Sequence, residues 1–427
     1  MIIVTVATLI IFFLIGMPIA FAIGMGGLFS ILISGNLPLT LIPQRMFFGL
    51  DNWLIMAIPL FILSGELMTS GGMSKRLVVF ITELLGFIKG SLGMITVGAS
   101  MLFAGISGSS AADTAAIGSI MLPIMKKQGY DMKFATVLQA AAGSIGPVIP
   151  PSIMMIIIGY MTNTSVIQLF LGGIVPGVLI GIGLMIVTYI HAAKGGKAYL
   201  PIRKKFSLEK TFRTGLTALP GLGLPFIIIF GILGGIFTVT EAAVIAVIYG
   251  FIVGLFVYKE IKLKDIPRIL LKSAELSTII MFIQGTAFLF SWMVTVNQIP
   301  AMITKFAMNF VSNQFEFFIF FNLIVLIIGM FMESFSATII FAPLLFPVAR
   351  SFGVDPVHFG VVLMVGWAIG YITPPFGMTL FVSCSLTGKS IREVTPYVIP
   401  LVVSMLIVLI IITYFPQTFM WIPKLIR

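Results

Sequence analysis

Gly105-Ile106-Ser107-Gly108-Ser109-Ser110-Ala111-Ala112-Asp113 sets hydroxyls, glycines and an acid in the middle of the apolar stretch Ser91 to Met125. A second stretch, Glu316 to Ala349, is interrupted in the same way by Glu333-Ser334-Phe335-Ser336-Ala337-Thr338. Each half of either stretch runs about 15 residues, or roughly 22 Å as helix, which is short of a bilayer core. The interrupted pattern therefore predicts two re-entrant helical hairpins whose polar tips lie at depth. Irregular backbone is tolerated there only where protein, water or an ion satisfies it.

The chain also matches itself at an offset of 224 residues, the distance from Pro123 to Pro347. Without gaps, Gly105 meets Gly329, Ser110 meets Ser334, Thr114 meets Thr338 and Gly129 meets Gly353. Asp131 then meets Asp355, Gly146 meets Gly370, and Pro150-Pro151 meets Pro374-Pro375. Of the 72 pairs from Gly105 to Pro176, 14 are identical, many of them residues that set breaks and turns, which favours a true internal repeat. Charge decides its sense, because basic residues favour cytoplasmic loops. Lys126, Lys127 and Lys133 follow the first hairpin, whereas the matched second stretch offers Arg350 with Asp355. The next loop reverses this: Met161 to Ser165 is uncharged, and its partner holds Lys389 and Arg392. Matched loops thus prefer opposite faces, the mark of inverted-topology transporters. The reading is an all-α polytopic membrane protein with two inverted halves. Residues 1–210 form the first (hairpin 91–125, broken helix 134–160) and residues 211–427 the second (hairpin 316–349, broken helix 357–384).

Composition agrees. Of 427 residues, 59% are hydrophobic and 9% charged, with mean hydropathy +1.17. Further apolar runs of spanning length occur at 53–73, 166–190, 216–236, 240–258, 274–295 and 396–421. The first run, 2–34, reads as a retained span, or two short ones broken at Gly16 and Pro18. The net charge of +11 sits in short loop clusters such as Lys194 to Arg213 and Lys259 to Lys272, so topology explains it better than nucleic-acid binding. Cys384 is the single cysteine, and His191 and His358 stand apart, which argues against a disulfide framework or a transition-metal site. Gly388-Lys389-Ser390 has Ser383 where a phosphate loop needs glycine, and neither histidine opens His-Glu-x-x-His, so the sequence is not that of an enzyme.

The chemistry gathers at the tips and at two breaks. Gly143-Ser144-Ile145-Gly146-Pro147-Val148-Ile149-Pro150-Pro151-Ser152 and Gly370-Tyr371-Ile372-Thr373-Pro374-Pro375-Phe376-Gly377 interrupt otherwise spanning helices. Paired prolines remove amide donors and free carbonyl oxygens. Broken helices at corresponding positions of two halves are the best sequence pointer to a transporter site, and freed oxygens suit a hard cation such as sodium. Structural explanations stand beside this one. Ser110 and Asp113 have capping-box spacing, and Glu333 can hold a turn through backbone amides. Glu66, Glu241 and Glu275 can pair with a neighbouring helix or a partner subunit. Trp53, Trp292 and Trp421 look like interfacial anchors and Trp367 like packing.

In combination, the hairpin Gly105 to Ala116 and the two Pro-Pro breaks resemble the large membrane subunit of TRAP transporters over essentially the whole chain. The resemblance implies a sodium-driven symporter of organic acids, C4-dicarboxylates and sialic acids among them, in the bacterial inner membrane. It also implies two partners, a small four-helix membrane subunit and a periplasmic substrate-binding protein. An elevator-type motion follows, in which hairpins and broken helices move as a transport domain against a scaffold. Carried onto this sequence, one sodium site combines Ser107, Gly108, Ser109 and Ser110 with Gly143, Ser144, Gly146 and Pro147. The other combines Gly329, Glu333, Ser334 and Ser336 with Ile372, Thr373 and Pro374. Substrate then lies between the tips, near Ser109, Ser110, Asp113, Pro150, Pro151, Ser336, Thr338 and Pro375. No Arg or Lys occurs in these motifs, so helix N-termini, hydroxyls and sodium are expected to hold the carboxylate. No cofactor beyond Na+ is expected. A stand-alone secondary anion transporter needing no binding protein is the alternative.

Overall fold

The computed structural model describes residues 8, 11–12, 15–34, 37–203 and 205–425. Among these there are nineteen α-helices and no strand. The first half opens with α1 (Ile19–Ser34), α2 (Leu41–Phe48), α3 (Ala57–Ser70) and α4 (Met73–Leu85). There follow α5 (Ser91–Ser107), α6 (Ser110–Lys127), α7 (Met132–Gly143), α8 (Ile153–Thr162) and α9 (Val166–Lys194). The second half has α10 (Leu208–Leu233), α11 (Val239–Ile252), α12 (Ile266–Val296), α13 (Ile299–Met308) and α14 (Gln314–Phe331). It closes with α15 (Ser334–Ser351), α16 (Pro356–Gly370), α17 (Met378–Thr387), α18 (Ile391–Tyr414) and α19 (Gln417–Met420). Six helical stretches among the described residues are long and apolar enough to cross a membrane.

Helix boundaries follow the 224-residue offset. Shifted by it, α6 falls on α15 end for end, and α5, α7, α8 and α9 fall on α14, α16, α17 and α18 to within a few residues. Local devices repeat as well. Asp131 caps α7 by accepting from Lys133 N at 2.9 Å, and Asp355 caps α16 by accepting from Val357 N at 2.8 Å. Gly129 and Gly353 both take left-handed φ, +80° and +75°, a conformation that glycine adopts without Cβ strain. Both Pro-Pro peptides, 150–151 and 374–375, are cis.

Three expectations change in detail. The hairpin limbs are 17 or 18 residues, not 15, because the helices run to the edge of each two-residue tip. At about 27 Å for 18 residues they come close to bilayer thickness, and among the four limbs α14 alone is both long and apolar enough for a span. The run at 53–73 yields only the 14 residues of α3, because Gly71 and Gly72, the latter at φ +76°, end the helix. Of the two readings of the first run, the broken one agrees with Gly16 at φ +83° and with α1 beginning at Ile19, while most residues before it lie outside the described residues.

Packing crosses between the halves. The second limb of each hairpin lies on the post-break helix of the other half, α6 on α17 and α15 on α8. The hydroxyls of Thr136 (α7) and Thr387 (α17) meet at 3.0 Å across the same seam. Outside this group α12, roughly 46 Å long, packs on α1, α2 and α3, and α11 packs on α3. The outer faces are apolar, with Phe226, Phe230 and Phe320 exposed, as burial against lipid requires.

Candidate functional site

The first tip is built from a helix end, two linking residues and a helix start. Gly108 ends α5 at φ +59°, and a methyl group placed on it would lie 2.6 Å from the carbonyl oxygen of Pro151. Only glycine lets the tip close so tightly on the first break. The Ser107 hydroxyl then ties the tip together. It accepts from Ser109 N at 3.2 Å and donates to Asp113 Oδ1. Asp113 is wholly buried, and its second oxygen, Oδ2, has no hydrogen-bond partner. A methyl on Gly146 would sit 2.7 Å from that oxygen and 3.1 Å from the Ser109 carbonyl. The tip carboxylate and the break therefore face each other directly.

This arrangement overturns the capping reading of Ser110 and Asp113. Ser109, extended at φ −130°, is the N-cap of α6, and no side chain caps that helix start. Asp113 turns to Ser107 instead. Within the first break, the whole of Gly143 to Ser152 is buried apart from the half-buried Ile149. The Ser144 hydroxyl bonds the Ala141 carbonyl at 2.9 Å, so the side chain serves its own helix. Gly143 lies hard against Thr114, with a methyl there 2.0 Å from Thr114 Oγ1.

The second tip uses its acid differently. Glu333 is the N-cap of α15, accepting from Ser336 N at 3.3 Å and from the Ser336 hydroxyl at 3.4 Å. That is the turn-holding role weighed for it. Gly329 and Gly370 touch backbone to backbone: a methyl on Gly370 would lie 2.6 Å from Gly329 Cα. Beyond Gly370 the second break opens outward. Ile372 is buried, Thr373 and Pro374 are half-buried, and Pro375 and Phe376 are exposed. Gly329, Glu333 and Phe376 line a cavity of about 260 Å³. Thr373 Oγ1 donates to Ile369 O at 2.7 Å, while Thr338 Oγ1 is buried without a partner.

The two tips meet. Ser107, Ser109 and Ala112 of the first and Phe335 of the second line one cavity of about 90 Å³, closed by Ile153 and by Gly65, Leu276 and Ile280 of α3 and α12. Ser109, Ile153 and Phe335 mark the N-termini of α6, α8 and α15. Three helix starts thus border one space, that of α6 without a side-chain cap and those of α8 and α15 capped by Ser152 and Glu333. Of the sites carried over, the structure joins the first tip to Gly146 and Pro151, and Gly329 to Gly370. Pro375 stays apart at the surface of the second break.

Two polar groups were not singled out in the sequence: Gln139 and Gln284 are fully buried with unpaired amide atoms. A lone amide in an apolar run was the available signal. Glu66 pairs with a neighbouring helix, meeting Lys272 of α12 at 2.7 Å. Glu241 proves to be a capping partner of Thr238, and Glu275 is exposed on α12 without a partner among the described residues. Neither histidine reaches the tips: His358 meets Ile412 O at 3.0 Å and His191 stacks on Phe134.

Paired hairpins, twin broken helices and an apolar exterior define a membrane transporter. The fold of the Alcanivorax borkumensis YdaH transporter matches at TM-score 0.61, covering 90% of this chain and 89% of that one at 15% identity. Residues 6–418 match the family described as the tripartite ATP-independent periplasmic transporter, DctM component, and the chain belongs to that family. It is 39% identical over 403 residues to the C4-dicarboxylate TRAP transporter large permease protein DctM of Pseudomonas aeruginosa, covering 94% of each chain. It is 36% identical to the sialic acid TRAP transporter large permease protein SiaM of Vibrio cholerae, covering 96% of this chain and 95% of that one. The isethionate TRAP transporter permease protein DctMQ of Oleidesulfovibrio alaskensis is 39% identical, and the chain spans 64% of its length. The protein is therefore a multi-pass component of a transporter in the bacterial inner membrane, and not an enzyme.

Proposed function

We propose that this chain is the sodium-coupled large permease of a tripartite importer of an organic carboxylate, working with a small membrane subunit and a periplasmic binding protein. The observation that carries the proposal is the meeting of the two tips at one cavity bordered by three helix N-termini. Helix starts favour anions, and the one charged side chain lining that cavity is Glu66, whose carboxylate is taken by Lys272. The carboxylate is held there by amides and by the Ser107 and Ser109 region, between residues 1–210 and 211–427 acting as inverted halves.

Sodium is the co-transported cargo. The first tip supports its ligation because Asp113 Oδ2 is an unpaired, buried carboxyl oxygen directed at Gly146. Leaving such a group uncompensated is costly, and a hard cation with oxygen ligands compensates it. Asp113 therefore belongs to the cation side of the site, since two carboxylates facing each other repel. A cation near Asp113 also supplies positive charge for the substrate. At about 90 Å³ the tip cavity is smaller than the roughly 300 Å³ of typical ligand sites, so this conformation is closed around the tips. The hairpins and breaks then move as a transport domain against α3, α11 and α12.

Relatives named for C4-dicarboxylate, sialic acid and isethionate transport support small organic anions as the substrate class. The test is uptake of labelled succinate or sialate by the reconstituted transporter under an inward sodium gradient. Uptake that ignores sodium overturns the coupling, and full uptake without a binding protein favours the stand-alone reading.

A further inference from the structure

A second cavity, of about 410 Å³, opens beside the tip cavity and shares Glu66 and Thr69 of α3 with it. Its remaining walls come from Ser70, from the basic arm at Glu260 and Asp265, and from the first turns of α12, where Arg268 and Lys272 stand. Unlike the tip cavity, it lies within the roughly 300–1,000 Å³ that small organic ligands occupy. The path from the tips to the face carrying the basic arm therefore widens at Glu66.

Two of the three acids of this cleft meet a cation, and the third meets a backbone amide. Glu260 pairs with Arg76 at 3.4 Å, and Asp265 accepts from Lys262 N at 3.0 Å. Glu66 takes Lys272 at 2.7 Å, at the neck between the two cavities. Every acid lining the cleft thus has its partner, and Arg268 is the one lining charge left without an ion pair or hydrogen bond among the described residues. The Lys272 ammonium is itself over half exposed, so a solvated carboxylate can compete for it.

We propose that this cleft is an anion vestibule, a second binding site for the transported carboxylate, in which Arg268 and Lys272 receive the anion and Glu66 holds Lys272 at the neck until it arrives. The proposal rests on the reading of the chain as an organic-anion transporter. Arg268 offers a fixed fork to a carboxylate, and Lys272 exchanges one carboxylate partner, Glu66, for another. A diacid fits the pair better than a monoacid, because two cations one helical turn apart on α12 present themselves together.

The test uses the complete transporter with its small subunit, carrying Ser70→Cys in a Cys384→Ser background, since Cys384 is this chain's single cysteine, and with any cysteine of the small subunit replaced by serine. Succinate should protect the new thiol from a charged methanethiosulfonate reagent. The half-protecting concentration should rise about tenfold in Arg268→Gln and in Lys272→Gln, and fall several-fold in Glu66→Gln, which frees Lys272. A mere strap between α3 and α12 would make Glu66→Gln and Lys272→Gln shift the same way, and that result overturns the vestibule. So does an unchanged value in Arg268→Gln, or no protection by succinate or sialate. Sodium-driven uptake is measured on the same preparation. Uptake without protection removes the vestibule and leaves the transport reading standing. Protection without uptake does the reverse.

Discussion

The two hairpin tips occupy matched places in the repeat and treat their acids in opposite ways. At the first, Asp113 lies one turn inside α6, is held by Ser107 through one oxygen, and keeps the other unpaired against Gly146. At the second, Glu333 stands in the link itself and caps α15 through Ser336. The breaks differ in the same sense: the first is buried, and the second exposes Pro375 and Phe376 beside a cavity of about 260 Å³. A shared backbone plan therefore does not make two equal sites. Under the proposed sodium coupling, the carboxyl oxygen without a partner makes the first tip the stronger cation site, and the second would depend more on backbone and hydroxyl oxygens.

The largest effect expected from this contrast is that of Asp113→Asn. Under the proposed sodium coupling, replacing a buried carboxyl that faces the cation costs about 3 kcal/mol, or roughly 100-fold in apparent sodium affinity, read from the sodium dependence of succinate uptake. Near-normal sodium dependence in that variant would erase the distinction between the tips. Next comes Gly370→Ala, whose methyl meets Gly329 backbone that cannot yield. Overpacking of this kind costs about 1–3 kcal/mol, and a lowered thermal midpoint in detergent should report it. Ser107→Ala removes both the Ser109 amide bond and the Asp113 bond, and should weaken sodium affinity by roughly tenfold with about 1.5 kcal/mol lost. Glu333→Gln keeps an oxygen for the α15 cap, so the smallest change is expected: about 1 kcal/mol or less in stability and uptake within roughly threefold. An effect there as large as that of Asp113→Asn would make Glu333 the principal acid and invert the comparison.

Much of this was legible from residues alone. Prolines and glycines encode their consequences locally, so Pro150-Pro151, Pro374-Pro375, Gly129 and Gly353 announced breaks and turns that the helices obey. The capping role of Glu333 was one of two readings, and the choice needed the distance to Ser336 N. Asp113 shows why spacing does not suffice. Its capping-box register with Ser110 was real, but the helix start slipped by one residue to Ser109 and the carboxylate swung to Ser107. The neck at Glu66 was less legible still, because Glu66 and Lys272 are 206 residues apart and only the packing of α12 on α3 brings them together. Limb lengths were misread because polar tip residues were counted as interruption, whereas Ser107 and Ser110 are helical.

The wall of the tip cavity has one more consequence. On the α3 and α12 side it presents Ile62, Leu276 and Ile280, and its polar members bond within that side, Thr69 to Gly65 O and Glu66 to Lys272. Among the described residues no hydrogen bond joins Ser107 or Ser109 to α3 or α12, since their bonds stay inside the tip. Under the proposed elevator motion such a boundary would act as a lubricated bearing: one side would slide past the other through nearly equivalent van der Waals contacts, without a directional bond to break at each step. The barrier to sliding at this wall is then set by side-chain shape, and a single polar pair engineered across it would act as a brake.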